Sequence, residues 1–346
     1  MRYAIIGSGM MGQEHIRNLQ LLPDAEVVAL ADPDAGMRAA AAALVGEGAT
    51  VHADHRDLLR AGGVDALVIA SPNQTHHAVL MDALDTDMPI LVEKPLCTTV
   101  ADCDAVIAKA RGRRAPVWVA MEYRYMPPVA RLIDAVRDGR IGRLRMLAIR
   151  EHRFPFLEKV GDWNRFAANT GGTMVEKCCH FFDLMRLITG AEPTRLYASG
   201  GQDVNHLDER YDGRTPDIVD NAYVVVDFAN GVRALLDLCM FAEASKDQEE
   251  IAATGDAGKV ECGVPSSRLL IGRREPLELQ SEIVPVDQRL LAAGHHHGST
   301  FYQHEAFAAC IRHGTPPEVS LEDGRAAVAM GAAAERSIAE HRPITF

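Results

Sequence analysis

Aromatic side chains are scarce, at 5% of 346 residues with only two tryptophans. Positive charge is short as well: 36 lysines and arginines face 48 aspartates and glutamates, for a net charge of −12. With no local basic patch to offset that excess, a nucleic-acid partner is excluded on electrostatic grounds. Long apolar runs are missing too. The best candidate, residues 222–240, is interrupted by Asp227, Arg233 and Asp237, so no membrane span is expected. The apolar stretch after Met1 runs into glycine too soon for a signal-peptide core. The seven cysteines (97, 103, 178, 179, 239, 262 and 310) are odd in number, and the adjacent Cys178 and Cys179 do not readily pair with each other. Reduced thiols and a cytoplasmic location are expected.

What is present reads as an ordinary globular chain, 47% hydrophobic and 24% charged, long enough for two domains. Over the first 120 or so residues, short β-branched runs alternate with alanine-rich helical stretches. The runs are Tyr3–Ile6, Val27–Ala31, Thr50–His52, Ala66–Ala70, Ile90–Glu93 and Val117–Met121. Most are continuously apolar, as in a parallel sheet covered on both faces. Beyond residue 122 the pattern becomes α+β. A helix over 128–138 precedes longer strands, and Asn230-Gly231 marks a hairpin between 220–228 and 232–238. The expected division is a doubly wound domain over 1–122 and a second α/β domain over 123–346.

Gly7-Ser8-Gly9-Met10-Met11-Gly12 follows the first strand and opens a helix. In that context the glycines admit a pyrophosphate to the backbone, and the helix N-terminus supplies N–H donors. Asp32 closes the second strand 20 residues after Gly12, near the spacing of the acid that holds an adenosine ribose. A carboxylate there repels a 2′-phosphate, so NAD is expected over NADP. Ser71-Pro72-Asn73 with His76, and Glu93-Lys94-Pro95, leave the fourth and fifth strands. Strand ends of one parallel sheet share an edge, so these residues are expected at the same cofactor.

In the second half, Glu176 and His180 are four residues apart before an apolar helical run. If that segment is one helix they share a face, and the carboxylate orients the imidazole. The spacing of Cys178, Cys179 and His180 suits no metal site. Trp163, in Gly161-Asp162-Trp163-Asn164-Arg165, is read either as core or as a stacking platform for cofactor or sugar. His295-His296-His297 is a surface turn by default and a substrate loop if it covers the cofactor crevice.

Taken in order, GSGMMG, SPNQTH, EKPL, MEYRY, WNR and GGTMVEKCCHFFDL resemble the motifs of the Gfo/Idh/MocA oxidoreductases, which include inositol and glucose-fructose dehydrogenases. The resemblance implies a Rossmann domain followed by an α/β domain on a large open, mostly antiparallel sheet, assembled as a homodimer or homotetramer. Lys94 falls at the family's lysine, which contacts the nicotinamide ribose and the reacting hydroxyl. Pro95 matches a proline that often follows it through a cis bond. His180 falls at the catalytic histidine, with Glu176 where aspartate is usual. Trp163 and Arg165 come with the WNR motif and are expected at the cofactor. Arg124 matches a family arginine, whereas Glu122-Tyr123 replaces the usual Asn-Arg and Lys177-Cys178-Cys179 replaces a small apolar segment.

The implied activity is oxidation of a secondary hydroxyl of a sugar or cyclic polyol, with hydride passing to NAD. His180 is the expected base and Lys94 the group on the oxygen, or the reverse if burial depresses the lysine. Tyr123, Arg124 and His297 are the other expected substrate contacts, and no metal is expected. Two readings stand beside this one: glycoside cleavage through transient oxidation, and NAD binding by a non-catalytic regulator.

Overall fold

The computed structural model describes residues 1–346. In chain order the first elements are β1 (Arg2–Ile6), α1 (Met10–Leu19), β2 (Glu26–Ala31), α2 (Ala35–Val45), β3 (Thr50–His52) and α3 (His55–Ala61). They are followed by β4 (Ala66–Ile69), α4 (His76–Ala83), β5 (Ile90–Val92), α5 (Val100–Ala110) and β6 (Val117–Val119). All six strands are parallel, in the order β3-β2-β1-β4-β5-β6. β4, β5 and β6 are buried at every position, the continuous burial that helices on both faces impose. The helices begin where side chains can satisfy free N–H groups. Asp34 accepts from Met37, Asp54 from Arg56 and Thr99 from Asp102. α1 differs, since its N-cap is Gly9 and no side chain caps it.

The remaining elements are α6 (Pro127–Arg137), β7 (Leu144–His152), α7 (Ala167–Thr170), α8 (Thr173–Glu176), α9 (Cys179–Thr189), β8 (Pro193–Gly201), β9 (Asn221–Phe228) and β10 (Arg233–Cys239). Then come β11 (Glu249–Gly255), β12 (Gly258–Val264), β13 (Arg268–Arg273), β14 (Glu278–Ile283), α10 (Gln288–Ala293), α11 (Ser299–His313), α12 (Leu321–Glu340) and β15 (Ile344–Thr345). The nine-stranded sheet runs β14-β13-β12-β11-β7-β10-β9-β8-β15 and is antiparallel except between β7 and β10. α6 and α9 pack on one face, over Leu147, Ile149, Val224, Val226, Leu236 and Ile251. The alternate residues Met146, Tyr223 and Val225 are exposed, the period-two pattern of a sheet with one covered face. The expected hairpin is present. Phe228 pairs with Val232, and Gly231, at φ 83°, closes a three-residue turn with a left-handed residue.

The chain divides into two compact units. The first unit holds Met1–Glu122 together with Lys159–Gly161 and Gln288–Val328, and the second holds Tyr123–Glu158, Asp162–Asp287 and Ala329–Phe346. The physical reason for the return is packing. α11 lies against α1, Val119 N–H bonds the Val319 carbonyl at 3.2 Å, and Gly324 sits so close to Val119 and Leu96 that a Cβ there would meet them at 2.9 and 3.1 Å. No helix is long and apolar enough to cross a membrane.

Gly12 is the tightest joint of the first unit, because a Cβ at that position would stand 2.0 Å from the Gly7 carbonyl oxygen. Gly12→Ala is expected to lower stability by about 1–3 kcal/mol through overpacking. Urea unfolding checks this, and an unchanged midpoint would show that the α1 start is looser than described.

Candidate functional site

In the first unit the motif residues gather at the carboxyl edge of the parallel sheet. Gly7, at φ 96°, lies against the end of β4, where a Cβ would reach Ser71 N at 2.4 Å. Gly9, in contrast, faces open space, and the Ser8 hydroxyl is buried without a protein hydrogen-bond partner. An uncapped helix N-terminus, a glycine with room beside it and an unsatisfied buried hydroxyl fit the pyrophosphate of a dinucleotide. Asp32 is held rigidly at the end of β2, since its two carboxylate oxygens accept from Ser8 N–H at 2.6 Å and Asp34 N–H at 2.8 Å. Its placement suits ribose hydroxyls.

Lys94 leaves β5 through a cis bond to Pro95. Beneath it, Glu93 is buried. One carboxylate oxygen accepts the Lys94 backbone N–H at 3.1 Å and the other lies 3.0 Å from His15 Nε2. Burial alone would raise the Glu93 pKa, but the hydrogen bond and charge of His15, with the nearby Lys94, hold it below the ordinary value. The other His15 nitrogen meets His304 Nε2 at 2.8 Å, and burial keeps His304 far below a normal histidine pKa. His76 is among the residues expected at the cofactor. It is fully buried, and its two nitrogens lie 2.8 Å from the Pro95 carbonyl and 2.9 Å from that of Ser71. It therefore ties the β4 and β5 edge segments together. Asn73 is buried beside it, while Ser71 and Pro72 are half-buried.

A second cluster in this unit joins α1 to the segment around His296. Glu14 of α1 accepts from His296 at 2.7 Å and Thr300 at 2.9 Å, and Thr300 Oγ1 is also 3.0 Å from Glu122. Burial raises the Glu14 pKa, but His296, Thr300 and the His295 backbone outweigh it and bring it down to about 2. Glu122 is pushed upward by burial, aided by the charges of Glu93 and Glu14. His296, part of a run expected as a surface turn by default, is thus a structural partner with its side chain 24% exposed. His297 lies beside it, buried at φ 54°, with its pKa lowered by burial. The available signal was Glu14-His15 on a helix that also buries Ile16 and Leu19.

In the second unit the expectation that Glu176 and His180 share one helix is corrected. α8 ends at Glu176 and α9 begins at Cys179, because Cys178 N–H bonds back to Thr173 and Cys178 itself opens the next helix. His180 is buried, 2% exposed, in the first turn of α9. Its ring stacks on Tyr123 with centroids 4.1 Å apart and planes 8° from parallel. Tyr123, expected at the substrate, is buried, and its hydroxyl is held on two sides. It accepts from Lys177 Nζ at 2.5 Å and donates to Glu249 at 3.3 Å. Arg124 makes a bidentate pair with Asp183 of α9 at 2.6 and 2.5 Å. Arg165, expected at the cofactor, is 2% exposed and bonds Glu209 at 3.0 Å, while Trp163 is half-buried. No group of three or more histidine, cysteine, aspartate or glutamate side chains is arranged to hold a metal ion.

The Glu14 cluster makes a prediction with a definite sign. A carboxyl depressed to about 2 in the folded protein contributes stability that is present above the ordinary carboxylate range and lost as pH falls towards 2. Glu14→Gln is expected to cost about 3 kcal/mol at pH 7, and the deficit is expected to shrink progressively in acid. Urea titrations of both proteins across that range check it. A deficit that does not vary with pH would contradict the assignment.

Comparison with known proteins agrees with both units. The model for the oxidoreductase-family NAD-binding Rossmann fold of Gfo/Idh/MocA proteins matches residues 1–121, and that for the family's C-terminal alpha/beta domain matches 133–346. Inositol 2-dehydrogenase 2 of Saccharopolyspora erythraea is 33% identical over 281 residues, 80% of this chain and 77% of that protein. Myo-inositol 2-dehydrogenase of Thermotoga maritima is 27% identical across 99% of this chain and 98% of its own. The crystal structure of a putative myo-inositol dehydrogenase from Sinorhizobium meliloti 1021 superposes with a TM-score of 0.80 at 25% identity, covering 100% of this chain and 99% of that one.

Proposed function

The chain belongs to the Gfo/Idh/MocA oxidoreductase family, and from that premise we propose that it oxidises a secondary hydroxyl of a cyclic polyol or sugar, with NAD preferred over NADP. The observation that carries the reading is the carboxyl edge of the first unit. There an open glycine loop, an uncapped helix and a clamped Asp32 stand beside the Lys94-Pro95 turn. The inositol dehydrogenases among the relatives support a cyclic polyol as the substrate class.

Bound NAD supplies the hydride acceptor. The N–H groups at the start of α1 would hold the pyrophosphate, and Asp32 would accept hydrogen bonds from the ribose hydroxyls. Lys94 donates a hydrogen bond to the reacting oxygen and stabilises the charge that develops there as the carbon loses hydride. His180 takes the hydroxyl proton, the electron pair of the broken O–H bond forms the carbonyl, and the hydrogen on carbon departs with the C–H electron pair as the hydride for which bound NAD would be the acceptor. Glu93 positions Lys94 by accepting its backbone N–H. Glu176 and Arg124 shape the surroundings of His180, and His297 contacts the substrate. The exposed apolar residues of the nine-stranded sheet support a homodimer or homotetramer built through that face.

Lys94→Ala and His180→Ala are each expected to lower kcat for NADH formation from myo-inositol by about 10²–10⁴, with both variants still folded and binding NAD. Steady-state kinetics with matched NAD titrations check this. Near-normal turnover in both variants would remove these residues from the chemistry. Asp32→Ala is expected to reduce the NAD-over-NADP ratio of kcat/KM by about 10-fold or more. An unchanged ratio would place the discriminating carboxylate elsewhere.

A further inference from the structure

Lys177 is the feature that the activity above leaves unexplained. It is a lysine, 5% exposed, at the junction of α8 and α9, where an apolar residue would pack without cost. Its ammonium lies 2.8 Å from Glu151 of β7 and 2.5 Å from the Tyr123 hydroxyl, and 4.8 Å from the centre of the Tyr123 ring. That hydroxyl in turn donates to Glu249 of β11. Arg153 bonds Glu151 at 3.3 Å, and Gln248 donates to Glu249 at 2.6 Å. The phenol is thus gripped from both sides and cannot rotate freely, and its face is the one on which the His180 ring lies.

We infer that the Glu151–Lys177–Tyr123–Glu249 chain is a positioning device for His180, which fixes the plane of the imidazole and sets its proton affinity through the charges held behind the tyrosine. The inference rests on the reading of His180 as the base and deepens it. Two physical effects operate together. A stacked ring whose hydroxyl is held at two points leaves the imidazole one orientation, and orientation is worth about 10²-fold in rate when it slips by an ångström. The second effect is electrostatic, because a cation nearby disfavours imidazolium and a carboxylate favours it.

Around this stack the charged and titratable groups are Glu176 and Lys177 at the helix junction, Glu151 and Arg153 on and after β7, Glu249 on β11, Arg124 paired with Asp183 of α9, and Glu335 of α12, which accepts the Met174 N–H and is pushed up to about 7 by burial. The Cys178 thiol is pushed up by burial and stays neutral. Burial lowers the Lys177 pKa, with Glu151 opposing that shift. Glu249 is pushed up to about 7 by burial and by the charge of Glu151, so the charge behind Tyr123 changes near neutral pH.

The test reads His180 itself. Protein with ¹³C-labelled histidine rings is titrated by NMR in the presence of NAD, and the His180 signal is assigned by its loss in His180→Gln. Lys177→Met removes the cation, so the His180 midpoint is expected to move up by about 0.5–1 pH unit. Glu249→Gln removes the carboxylate, so the midpoint is expected to move down by a similar amount. Lys177→Gln serves if the methionine variant does not fold. Anything other than opposite displacements overturns the inference, because a role confined to packing moves neither midpoint. The reading of His180 as the base fails separately, through full activity of His180→Ala.

Discussion

An ionised side chain can be buried only where partners replace the water it has lost, and that constraint shapes the ground under both residues assigned to the chemistry. Lys94 leaves its strand directly above Glu93, a carboxylate whose oxygens are occupied by His15 and by the lysine's own backbone. His180 lies on a tyrosine whose hydroxyl is held by Lys177 and Glu249. Removing one partner from such a network leaves a buried charge unsatisfied, at a cost of about 3–5 kcal/mol. Each network therefore resists rearrangement, and that resistance gives the side chains above them a fixed place.

The two networks differ in what they hold. Beneath Lys94 the parts are backbone-directed: Glu93 and His76 anchor the turn through N–H and carbonyl groups, so the path of the half-buried lysine out of the sheet is set. Beneath His180 the parts are side chains acting on a side chain, through the stacked ring and the charges behind it. The first arrangement suits a group that must reach a substrate oxygen. The second suits a group whose protonation state must be controlled.

The Rossmann half was legible because its signals are local. Continuous apolar strands, a glycine loop placed between strand and helix, and Asp32 at the end of the second strand each need only a few neighbouring residues, and all lie where the sequence places them. The second half was less legible. β12 and β13 carry glycines at 258, 263 and 272 and little β-branching, so their alternation is weak. The break at Lys177-Cys178 depends on a backbone bond to Thr173, which no periodicity reveals. The Glu14–His296 and Lys177–Glu151 pairs join residues 282 and 26 positions apart. A lone sequence shows each partner as an ordinary surface charge, and only folding brings them together. The same long-range packing places Gln288–Val328 in the first unit.

The most direct test of the central claim follows the hydrogen. The enzyme is incubated with NAD and a set of inositols and sugars deuterated at their carbinol carbons, and the nicotinamide ring of the recovered cofactor is examined by mass spectrometry and NMR. The account predicts that at least one polyol gives a ketone and that its deuterium appears on reduced nicotinamide, mole for mole. Substrate turnover with no label retained in the cofactor, or no transfer from any member of the set, would contradict it.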